Sequence, residues 1–145
     1  MPHSKRGQSL VEVALTLPVL VILFFGIAEL GFFLFSHVQV ANATRVGARH
    51  GSLCRLNNNC LGEPGLANLT EVVESAVYDE GQALHMSGTN TQVAVQPVLS
   101  ALPQVGTPIT VTVTYTHSSF LISDLMPMFP DDIPVQHSVI MDFDK

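Results

Sequence analysis

KRGQSLVEVALTLPVLVILFFGIAELGFFLFSHVQVANATRVGARHGS, Lys5 to Ser52, is the stretch whose reading decides the fold. It opens basic and then runs apolar, with Glu29 the only formal charge among the 23 residues from Val13 to Phe35. A helix needs about 20 apolar residues to cross the hydrocarbon of a bilayer, so this run is long enough to span. It exceeds the 7–15 apolar residues, roughly, of a cleaved secretory signal, and it passes through bulky GFFLF without a small-x-small cleavage site. The expectation is therefore a retained segment, with a transmembrane part at 8–35 and an extracytoplasmic head at 36–145.

Three residues inside the run need separate reasons. Glu12 is a carboxylate only six positions after Arg6, the last basic side chain of the tip. A carboxylate costs about 2.5–3.5 kcal/mol at the centre of a membrane helix and less toward the interface. Near the helix start it also gains from the dipole, so a headgroup-level position and a functional pairing both account for Glu12. Pro18 has no amide hydrogen and is expected to loosen the helix near Ala14. Glu29 is expected to snorkel or to face a partner helix.

Past the apolar run, SHVQVANATRVGARHGS contains no helix breaker until Gly51. Ala43, Gly47 and Gly51 recur at spacing four and form a shallow face on which another element can pack closely. Asn57 to Asn59, then Gly62, Pro64 and Gly65, read as a loop. From Leu66 the spacing is helical again. Leu66, Leu69, Val72, Val73, Ala76, Val77, Ala83 and Leu84 share one face, with Glu71, Glu74, Asp79 and Glu80 opposite.

The remainder alternates with period two in TQVAVQPV (Thr91–Val98), PITVTVTYTHSSF (Pro108–Phe120) and IPVQHSVIMDF (Ile133–Phe143). Such alternation indicates an antiparallel sheet buried on one face, and the long helix is the best-placed cover. The fold expected is α+β: a long N-terminal helix on a small antiparallel sheet of three strands, with a second amphipathic helix. The intervening LISDLMPMFPDDIP is read as a long loop whose Leu125, Met126, Met128 and Phe129 fold back over the sheet.

Charge narrows the function. Beyond Arg55 the only base is Lys145, against ten acids from Glu63 to Asp144. An acidic head of this kind excludes nucleic acid as the expected partner, because that affinity comes from neutralising phosphates. Lys5 and Arg6 place the N-terminus on the cytoplasmic side, although Arg45, Arg49 and Arg55 lie beyond the span. Cys54 and Cys60 flank a polar, turn-prone loop; in an exported head a disulfide is expected, ahead of a metal pair with His50.

No catalytic motif emerges: there is no HExxH, nucleophile elbow, phosphate-cradling glycine loop or CxxC. No enzyme activity and no cofactor are expected. His117 and His137 lie on neighbouring strands, and a pair on the solvent face is the expectation rather than a metal site. Asp124, Asp131 and Asp132 lack the spacing of a calcium loop.

Gly7, four residues, Glu12 and a long apolar helix together resemble a class III or type IV prepilin signal. The longer run, with Arg6-Gly7, VEVAL before Pro18, FGIAELG and ANATRVGARHG, resembles the TadE-like family of the tight-adherence (Tad) pilus system. PITVTVTYTHSSF and IPVQHSVIMDF are similar to that family's C-terminal strands. The resemblance implies a pilin-like minor subunit (pseudopilin) with a leader at 1–7, cut by a prepilin peptidase between Gly7 and Gln8. It further implies an inner-membrane location before assembly, with other pilins and pseudopilins and the inner-membrane assembly platform as partners. Glu12 would then pair with the new amine at Gln8 of a neighbouring subunit. The alternative is an unprocessed, signal-anchored extracytoplasmic binding module that keeps Met1 to Gly7.

Overall fold

The computed structural model describes residues 5–53, 69–96, 106–119 and 132–143. Within them the chain forms α1 (Lys5–Leu53), α2 (Leu69–Glu80), a 3-10 turn (Gly81–Leu84), β1 (Thr91–Gln96), β2 (Pro108–Ser118) and β3 (Asp132–Asp142). This is the α+β arrangement expected, with a three-stranded antiparallel sheet in the order β1-β2-β3.

Helix α1 has 49 residues and is about 70 Å long at 1.5 Å per residue. It runs unbroken through Pro18. The hydroxyl of Thr16 donates to the carbonyl of Glu12 at 2.8 Å, one turn back in the same stretch.

From Gly7 to Ile27 every residue of α1 is exposed. That length is about 31 Å of helix, close to the hydrocarbon thickness of a bilayer. Above it the head covers one stripe: Glu29, Phe33, Ser36, Val40, Ala43, Thr44, Gly47, Ala48, Gly51 and Ser52 are half-buried or buried, at helical spacing. The cover thus starts near Ala28 and Glu29, about two turns below the boundary expected at residue 36. On the uncovered side Leu30, Phe32, Leu34, Phe35 and Val38 remain exposed.

The sheet alternates as its sequence does. Ile109, Val111, Val113 and Tyr115 of β2 face inward, and in register with them stand Met141, Val139, His137 and Val135 of β3. Thr91, Val93 and Val95 of β1 continue that face opposite Tyr115, Val113 and Val111. The threonines of β2 lie on the other side, where Thr112 and Ser138 hydroxyls meet at 2.6 Å across the strands. Covering one face of a half-apolar sheet with a helix is how such a layer removes its apolar side from water. Phe143, just past β3, closes the core at 1% exposure. Its amide and carbonyl bond Thr107 O and Gly106 N, each at 3.0 Å, so the end of β3 is tied to the start of β2. Gly106 has φ +80°, a backbone state that glycine adopts without strain.

Helix α2 buries Val73, Ala76 and Val77, the face its spacing predicts. The expected helix continued through Leu84 without change; instead it tightens at Gly81 into the 3-10 turn. At Gly81 a β-carbon would collide with the side chain of Met86, so the missing side chain lets Met86 pack against the start of the turn. The turn ends at His85, which has φ 52° and lies in the left-handed region. Asn90 holds this hairpin approach together, donating to His85 O at 3.1 Å and accepting from the Ser87 amide at 2.9 Å.

The expected Cys54–Cys60 disulfide, the residues from Leu66 to Asn68 and the Leu125–Phe129 loop lie outside the described residues.

Candidate functional site

The positions singled out in the sequence fall at three levels of α1. At the lowest level, Gly7, Gln8 and Glu12 are all exposed on the helix surface. Around Glu12 the neighbours Leu10, Val11, Val13 and Leu15 are between 58% and 74% exposed. A single carboxylate is therefore displayed on an apolar rod that no described part of the chain covers. Such a surface requires either lipid or other protein around it, and the carboxylate in either case needs a partner.

At the highest level the small residues do what their spacing predicts. A β-carbon at Gly47 would come to 2.6 Å from Val77 Cγ2 and 3.3 Å from Val73 Cγ1. At Gly51 it would come to 2.9 Å from both Ile109 Cδ1 and Val73 Cγ2. Ala43 is fully buried among Val40, Thr44 and Ala48. These glycines let α2 and the sheet approach α1 closely. Gly26 and Gly31, lower on the same helix, have nothing within 4 Å of such a carbon.

The middle level is where sequence reasoning fell short. Glu29 neither snorkels nor faces a separate helix as its first contact: its Oε1 is 4.0 Å from Nε2 of His117 on β2, and both side chains are only 12% exposed. The other ring nitrogen, Nδ1, is 3.1 Å from Ser36 Oγ, about two turns above Glu29 on α1. Ser36 Oγ also bonds back to the carbonyl of Phe32 at 2.9 Å. Phe33 sets its ring edge-on to the imidazole, with centroids 6.1 Å apart. The end of β2 is thereby fastened to α1 by polar contacts, below the apolar part of the core.

This corrects the expectation for the histidines. His117 and His137 share the inward face of the sheet, not the solvent face, and they are not partners: His117 stands opposite Ile133, and His137 opposite Val113. The parity was available in the sequence, since the alternation that turns Ile109 to Tyr115 inward also turns residue 117 inward. Nothing in the sequence indicated that Glu29 would be the acid meeting it.

Serine, histidine and carboxylate in contact invite a catalytic reading, which the geometry does not support. Ser36 is 2% exposed, and its hydroxyl is already held by the Phe32 carbonyl and His117 Nδ1. At 4.0 Å the Glu29–His117 contact is an ion-pair distance and too long for an orienting hydrogen bond. Among the described residues no group of three or more His, Cys, Asp or Glu could hold a metal ion. Above the pair, Tyr115 hydroxyl reaches Leu84 O at 3.4 Å, and burial pushes its phenol above the ordinary value.

Together these elements leave an open cleft of about 330 Å³ between α1, the 3-10 turn and β2. Glu29, Phe32, Phe35 and Ser36 line it from α1, Leu84 and His85 from the 3-10 turn and its cap, and Ser118 from the end of β2.

Comparison with known families matches residues 7–49 to the family described as TadE-like protein. The matched span ends within α1, and it contains Glu12, Glu29 and Gly47. The match associates the chain with the Tad pilus system and its components in general terms. No curated protein matches the chain. No solved structure matches it either. Helix α1 is long and apolar enough to cross a membrane, with none of its apolar window buried inside the chain, and so fits a single-pass membrane protein of such a system.

Proposed function

We propose that this chain is a minor pilin-like subunit, a pseudopilin, of a Tad-type pilus. It is held first in the inner membrane by the lower half of α1, with its N-terminus in the cytoplasm and its head outside. A prepilin peptidase cuts between Gly7 and Gln8. The subunit then leaves lipid for a bundle of similar helices, joining or priming an adhesive filament, and it performs no catalysis of its own.

One observation carries this reading: the family match coincides with a helix that displays a lone carboxylate, Glu12, on an otherwise apolar exposed rod. In lipid the carboxylate can sit at the headgroups. Within a bundle it needs a cation at the same depth, and the new amine at Gln8 of a neighbour supplies one. An unpaired buried charge costs several kcal/mol, so the pair would fix the register between subunits. A carbonyl of Ala14 that lacks the amide of Pro18 gives the helix one weak step near the pair, where it can bend on transfer.

The test separates cutting from assembly. Glu12→Ala should be processed as the parent chain is, yet fail to enter or prime filaments; normal pilus number with that variant would refute the pairing. Gly7→Ala should accumulate uncut. A β-carbon at Gly7 meets nothing within 4 Å, so that loss would not come from misfolding.

A further inference from the structure

Two arginines of α1 are left without a role by the pilin assignment. Arg45 and Arg49 are the only lysine or arginine among the described residues of the head, and both are exposed. They stand one turn apart on one side of the helix, a spacing at which like charges repel. Neither has an ion-pair partner among the described residues. Their direction follows from Gly47, against which Val77 and Val73 of α2 pack. Residues two positions either side of Gly47 lie about 200° and 160° round the helix from it, so both arginines sit on the side of α1 turned away from α2.

Helix α2 carries the opposite charge on the opposite side of the helix pair. Val73, Ala76 and Val77 are its buried face. Ser75, Asp79 and Glu80 are exposed and Glu74 is half-buried. Asp79 and Glu80 end the helix with no base in its last turn, although a helix C-terminus is itself partly negative. The two helices run antiparallel, since Gly47 meets Val77 and Val73 while Gly51 meets Val73 and Leu69. Glu74 and Asp79 therefore stand at the same height on the molecule as Arg45 and Arg49. Within one subunit each group lacks its opposite; between subunits set side by side each finds it.

We propose that the basic side of α1 in one subunit docks on the acidic side of α2 in a second copy of this chain, Arg45 and Arg49 against Glu74 and Asp79. The inference rests on the reading of α1 as a helix that packs beside parallel copies, and charge complementarity selects the occupant. The four-residue stagger that pairs Glu12 with Gln8 shifts neighbouring rods by about 6 Å. Helix α2, with 12 residues, is about 18 Å long, so the arginines stay beside it at that stagger. The two faces differ, which makes the contact heterologous. Each copy offers one of each, and pairing propagates along a row or an open helix instead of closing a dimer.

Photocrosslinking of the full chain in pilus-assembling cells tests the contact. p-Benzoylphenylalanine is placed at Ser75, on the outer side of α2, and in a second strain at Val11, 64% exposed on the rod. The expected Ser75 product is a covalent dimer of this chain, with higher multiples, whose peptide map joins residue 75 to the segment around Arg45 and Arg49. Arg45→Glu with Arg49→Glu should lower its yield roughly tenfold. Adding Glu74→Arg and Asp79→Arg to that same chain reverses both faces and should restore it. A Val11 product without the Ser75 dimer overturns the head contact and leaves the packing of rods standing. Loss of both products overturns that packing together with the inference. A Ser75 product that contains a different protein, a yield unmoved by the first reversal, or one not restored by the second also overturns it.

Discussion

The lower and upper halves of α1 are one continuous helix, the lower half the more apolar of the two. They differ in what surrounds them. Gly7 to Ile27 is exposed throughout, while Val40 to Ser52 forms one wall of the core. Phe24 is 70% exposed below; Phe143, also an aromatic against the same scaffold, is 1% exposed above. Apolar residues therefore have two meanings along one helix: below they specify the environment the chain must find, and above they specify its own packing.

The sharpest way to break that comparison is to truncate one aromatic in each half. Phe143→Ala should destabilise the head by about 3–5 kcal/mol, as large cavities in cores do, read as a fall in thermal midpoint of the full chain in detergent. Phe24→Ala should leave that midpoint nearly unchanged, since it removes no contact with the head. Equal losses would mean that the lower half packs on the head after all.

Glycines give the second contrast. Gly47→Ala gains about 1 kcal/mol of helix propensity but must displace Val77 and Val73, both fully buried. Overpacking costs about 1–3 kcal/mol, so the net effect should be a modest loss, and a larger one for Gly47→Leu. Gly26→Ala meets nothing within 4 Å and should be neutral or slightly stabilising in the same assay. A stabilising Gly47→Ala would show that α2 does not lie as close to α1 as it does here.

The smallest effect concerns the junction between the halves. Burial raises the Tyr115 phenol above its ordinary value of 10.0. The folded chain therefore keeps that proton to higher pH than the unfolded chain, and stability falls as pH rises through and beyond about 10. Tyr78 shifts the same way, through burial first and then the charge of Glu74. Tyr115→Phe should flatten part of the alkaline decline while changing stability at neutral pH by about 1 kcal/mol or less, given its 3.4 Å bond to Leu84 O. An unchanged alkaline slope would contradict the assignment.

Much of this was legible in the sequence because it depends on period. The face of α2, the parity of β1 to β3 and the small-residue stripe Ala43, Gly47 and Gly51 follow from spacing alone, and the structure places each where spacing puts it. What was illegible depends on contacts between distant positions. Glu29 meets His117 only because β2 runs down α1 to that level, a matter of sheet placement that neither segment encodes by itself. The packing of Met86 against Gly81 at the start of the 3-10 turn is likewise a contact that spacing does not show. The lower boundary of the head moved for this reason too: apolar content is continuous through residues 28 to 35, so composition does not mark where lipid stops and protein begins.

The account's central claim is that the lower half of α1 serves two surroundings in succession, lipid and then other subunits, with cleavage as the step between. Intact-mass analysis of the native protein extracted from membranes tests it most directly. The account predicts a mature chain whose first residue is Gln8, four positions before Glu12. A native chain that retains Met1 to Gly7, in cells that assemble the pilus, would contradict it.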